Sequence, residues 1–138
     1  MAFPNGAGGY QIGDGNLSEI TLGYQAAPLS VTATATLTAA QVTAGILLVG
    51  SGATAAQTYT LPSAALIEAV VTSAKVGSTF DLAVINLGTS SGTGALAMGS
   101  GTGFTDGGNA TVALAITSSA LFQFRKTADN AYTVYKIA

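Results

Sequence analysis

The chain has 138 residues, the size of one domain, and only 7% of them are charged against about 25% in ordinary soluble domains. Four basic and six acidic side chains leave a net charge of −2, which argues against nucleic acid as a partner, because such binding neutralises phosphates with Lys and Arg. Histidine and cysteine are absent, so the usual catalytic triads, disulfides and nearly all transition-metal sites are excluded, and stability must come from packing and oligomerisation.

The first stretch, Met1 to about Gly15, is too glycine-rich for a helix and too sparse in apolar residues for a core. It reads as an extended arm whose isolated Phe3, Tyr10 and Ile12 are the candidate partner-binding anchors. It has no basic segment followed by an apolar one, so no export signal is expected and assembly in a cytoplasm is. Glu19 to Tyr24 alternates polar with apolar residues and predicts a strand, as does Ser30 to Leu37, where threonines alternate with small residues. The predicted division is an arm with a first strand over residues 1–29 and a β domain over residues 30–138.

Within the β domain, Ile46 to Val49 and Gln57 to Leu61 predict two strands separated by the turn signal Gly50-Ser51-Gly52. The apolar run Ala44 to Gly50 is strand-sized, far below the roughly 18 residues of a membrane helix, so no membrane partner is expected. From Pro62 to Ala74 the pattern changes: Leu66, Ile67, Val70 and Val71 recur at helical spacing, with Pro62 near the start and Gly77 beyond the end. This predicts one short helix that lays an apolar stripe on the core and turns Glu68, Thr72 and Lys75 outward.

Phe80, Leu82 and Val84 then alternate with Asp81 and Ala83, and Val112, Leu114 and Ile116 with Ala113 and Ala115, giving two more strands around a loose stretch from Gly88 to Gly108. Ala120–Lys126 and Tyr132–Ile137, separated by Thr127-Ala128-Asp129-Asn130, predict a terminal hairpin. No internal repeat is evident. The fold class expected is mainly β: an antiparallel β-sandwich or jelly-roll-like barrel with one short helix and an extended N-terminal arm.

Motifs that carry chemistry are weak throughout. Gly50-Ser51-Gly52-Ala53-Thr54-Ala55 has the spacing of a dinucleotide fingerprint, but a strand follows where a helix is required, so a turn is the better reading and no cofactor is expected. Tyr132 and Lys136 have the spacing of a dehydrogenase pair but lie in a strand pattern. Asp106-Gly107-Gly108-Asn109 lacks the alternating acidic ligands of a calcium loop, and no metal site is expected. Phe122 and Phe124, although interleaved with Arg125 and Lys126, share a strand face and belong to the core. Dispersed Asp14, Glu19, Glu68, Asp81, Asp106 and Asp129 offer no paired carboxylates, so no catalytic residue and no enzyme activity are expected.

From Ala39 to Ala138 the chain resembles head decoration (cement) proteins of tailed bacteriophages. The residues that carry the likeness are the Thr58-Tyr59-Thr60-Leu61-Pro62 step into a short helix, and Gly77-Ser78-Thr79-Phe80 leading to Val84-Ile85-Asn86. The glycine-rich Met98-Gly99-Ser100-Gly101-Thr102-Gly103 and the closing Phe122-Gln123-Phe124-Arg125-Lys126-Thr127 continue it. The resemblance implies a homotrimer on the outer surface of the virion capsid, at three-fold and quasi-three-fold positions, bridging subunits of the major capsid protein. Similar β modules serve in phage tails, baseplates and fibres, so the alternative it leaves open is a module binding host-surface glycan.

Overall fold

The structure, a computed structural model, describes residues 23–89, 94–97 and 103–138. Its strands are β1 (Leu29–Val31), β2 (Ala35–Thr36), β3 (Ile46–Val49), β4 (Gln57–Thr60), β5 (Thr79–Asn86), β6 (Gly94–Ala97), β7 (Phe104–Gly108), β8 (Ser119–Ala128) and β9 (Ala131–Lys136). Two helices, α1 (Ala39–Val42) and α2 (Ala64–Val70), interrupt them. The chain is mainly β, as its alternating patterns predict.

The strands form a six-stranded sheet in the order β1-β3-β5-β8-β9-β7 and a three-stranded sheet in the order β2-β4-β6. Up to β6 the chain visits the two sheets alternately, so β1–β2, β3–β4 and β5–β6 are three successive turns of one two-sheet coil. All pairings within this coil are parallel, and β7 also runs parallel to β9. Only β5–β8 and β8–β9 are antiparallel.

The sheets are therefore mixed, where short strands with frequent turns predicted antiparallel pairing. The cause lies in the turns. Gly50 and Gly52 adopt positive φ (67° and 76°), a conformation open to glycine at little cost, and the corner they make sends the chain into the other sheet instead of back along β3. Neighbours in sequence thus become neighbours across the coil, while neighbours within a sheet come from successive turns. The segment from Ser30 to Leu37, which reads as one strand, is split in the same way: β1 lies in the large sheet and β2 in the small one.

Three further expectations are corrected. Val112 to Ile116 is not a regular strand; Leu114 makes a single bridge, and Thr117 has a φ of 54° that breaks the extended run. The loose stretch from Gly88 to Gly108 contains β6 and β7. A second helix, α1, is nucleated by a reciprocal cap: the Gln41 amide donates to the Thr38 hydroxyl at 3.2 Å while the Thr38 amide donates to Gln41 Oε1 at 2.8 Å.

One apolar core joins both sheets and both helices, with Leu47, Val49, Tyr59, Leu61, Ile67, Leu82, Phe122, Phe124 and Val134 buried. At its hairpin end four rings meet. Phe80 stacks on its cross-strand partner Phe124 at 4.8 Å, and Phe104 approaches Phe124 edge-on at 6.0 Å and Tyr132 at 6.1 Å. Such offset and edge contacts add to the large area that each ring buries.

Candidate interaction surface

The arm anchors Phe3, Tyr10 and Ile12 lie outside the described residues. The other candidates can be placed, and most are committed to structure. Phe122 and Phe124 are core residues. Tyr132 is buried on β9 and Lys136 lies near its end, so the Tyr–Lys spacing falls on a strand. The Asp106 carboxylate is saturated by its own turn: Oδ1 accepts from the Gly108 and Ala110 amides at 2.8 and 3.1 Å, and Oδ2 from the Thr111 hydroxyl at 3.2 Å. Those donors, the Ala110 and Gly108 amides first, hold its pKa below the usual carboxylate value. Among the described residues no three acidic side chains gather where a metal could be held.

Helix α2 departs from expectation at Glu68. Instead of facing outward, its carboxylate accepts from Lys126 Nζ at 2.7 Å, from the Asn130 amide at 3.2 Å and from the Tyr132 hydroxyl at 3.1 Å. Lys126 is the only charged side chain buried among the described residues, and it also donates to the Ala74 carbonyl at 3.3 Å. The cluster ties α2 to the β8–β9 hairpin. Its pKa values follow: the Lys126 hydrogen bond lowers that of Glu68, the Glu68 hydrogen bond raises that of Lys126, and burial, with Glu68 beside it, pushes Tyr132 up to about 12. No local sequence signal marks this cluster, because its members are far apart in the chain.

A cleft of about 270 Å³ opens beside the cluster, with Val71, Ala74, Ser78, Phe80 and Tyr132 among its walls. One face of Phe80 is already covered by Phe124, and Tyr132 is 1% exposed, so neither ring is presented outward. The predicted apolar stripe of α2 divides: Ile67 enters the core and Val71 packs partly against it, whereas Leu66 and Val70, one turn apart, are 56% and 51% exposed.

The broadest surface feature is an absence of charge. From Ile20 to Ile67 the sequence has no Asp, Glu, Lys or Arg. The described part of that run builds the first two turns of the coil up to the middle of α2, so β1 and β2, which among the described residues are edge strands of the two sheets, lie within it. Every residue from Gly23 to Ser30 and from Thr32 to Thr36 is exposed, including Tyr24 at 93% and Leu29 at 40%. All charges of the described residues lie from Glu68 onward.

Such a surface can hydrogen-bond through hydroxyls, amides and backbone groups, and can bury methyl groups, without desolvating ions. No protein-family model, no curated protein and no solved structure matches this chain.

Proposed function

We propose that the chain is a structural virion protein, a capsid decoration or cement protein that stabilises a tailed-phage head by bridging subunits of the major capsid protein. The observation that supports this reading best is the charge-free segment from Gly23 to Ile67, which among the described residues supplies an edge strand to each sheet. Soluble proteins ordinarily guard sheet edges with charge. Here the edge is short and preceded by Pro28, but no charged side chain stands on it. Adhesion through such a surface draws on burial of apolar area, about 25 cal/mol per Å².

The alternative, a tail, baseplate or fibre module that binds glycan, requires aromatic faces open to solvent near loops. Among the described residues Tyr24 is the one aromatic side chain that is mostly exposed, and the rings of Phe80, Phe104, Phe124 and Tyr132 pack on one another. Adhesion is accordingly the better supported role.

The test is retention of the protein on purified particles after washing. At 1 M salt the Debye length falls to about 3 Å, which releases a partner held by surface charge. The expected result is full retention in 1 M sodium chloride and progressive release in urea, which solvates apolar and peptide groups. Complete release by sodium chloride alone refutes adhesion by packing.

A further inference from the structure

We draw no further inference here: the strongest candidate, the exposed apolar patch of Leu66 and Val70 on the outer face of α2, carries none, because nothing in the structure shows what covers it.

Discussion

Two regions of the molecule build parts of the same core with opposite chemistry. From Gly23 to Ile67 the chain uses parallel strands, small side chains and no charge, and its polar needs are met by backbone, threonine and glutamine. From Ser119 to Lys136 it uses one long antiparallel hairpin, large rings and a buried lysine. The difference is one of how strongly each position is specified. A buried ring or a buried ammonium group has few alternatives, whereas a threonine on an exposed edge has many. The hairpin half should therefore hold most of the fold's sensitivity to substitution, and the coil half most of its freedom to meet other molecules.

The largest expected effect lies in the hairpin. Phe124→Ala removes a fully buried ring that stacks on Phe80 and meets Phe104 edge-on. A loss of about 3–5 kcal/mol is expected in urea unfolding, the range for truncating a buried aromatic. A loss below 1 kcal/mol would show that the ring cluster is loosely packed and that the contrast between the halves is false.

Gly103→Ala should come next. Gly103 has a φ of 88°, and a Cβ there would collide with the Asn130 carbonyl in the hairpin turn and come within 2.8 Å of Ala64 Cβ at the start of α2. Both obstacles are backbone or short side chain, so neither can swing away. Destabilisation above 1 kcal/mol is expected, from left-handed strain together with the clash. By contrast Gly52→Ala, in the neutral corner, meets strain alone, since nothing lies within 4 Å of its Cβ position. It should cost about 1 kcal/mol. Equal losses in the two variants would erase the distinction.

The Glu68 cluster sharpens the comparison through pH. Glu68 has a lowered pKa in the fold, so its contribution is present above its ordinary value of 4.5 and is lost as pH falls through the folded value. Lys126 and Tyr132 are raised, so theirs is present below about 10 and lost as pH rises, for Tyr132 through about 12. Melting temperature should thus hold a plateau near neutrality and fall on both sides. Glu68→Gln should lower the plateau and flatten the acid limb, yet retain part of the alkaline limb, because burial is the first cause of the Tyr132 shift. An acid limb unchanged by Glu68→Gln would assign it elsewhere, with Asp106 the first candidate.

Much of this contrast is legible in the sequence, but unevenly. Strands with a two-residue period, β4, β5, β8 and β9, are found within a residue or two of their observed bounds, because alternation of Leu82 with Ala83 or Phe124 with Arg125 has one extended solution, and β3 is found as a short apolar run bounded by Gly45 and Gly50. Helix α1 is missed although Thr38-Ala39-Ala40-Gln41 carries a capping-box signature; four residues are too few to show helical periodicity. Val112 to Ile116 has the period of a strand but is held by a partner far away. Asn86, 1% exposed, donates from Nδ2 to the Leu114 and Ala115 carbonyls at 2.9 and 3.1 Å, occupying groups that a strand would pair. The coil itself leaves no repeat, because α1 and α2 are unequal insertions between its turns. Of the surface, the uncharged run is plain to read, but its placement on edge strands of both sheets, among the described residues, needs the topology.

The smallest expected effect compares two tyrosines, one from each half. Tyr59 on β4 and Tyr132 on β9 are both buried, at 2% and 1% exposure. The Tyr132 hydroxyl donates to Glu68, so Tyr132→Phe leaves a carboxylate with one donor fewer and should cost about 1 kcal/mol. Among the described residues the Tyr59 hydroxyl has no well-formed hydrogen bond. Gly50 lies beside it, but the Gly50 amide already donates to the Val31 carbonyl at 2.9 Å. Burial raises the pKa of Tyr59, so the group stays neutral and holds no ion in place. Removing this oxygen sacrifices no bond and relieves the desolvation of a polar atom, against which stands only the small void it leaves. Tyr59→Phe should therefore change stability by no more than about 0.5 kcal/mol, in either direction, when the two variants are unfolded side by side in urea. If it costs as much as Tyr132→Phe, the hydroxyl has a partner in solution, and the coil half is specified as closely at that point as the hairpin.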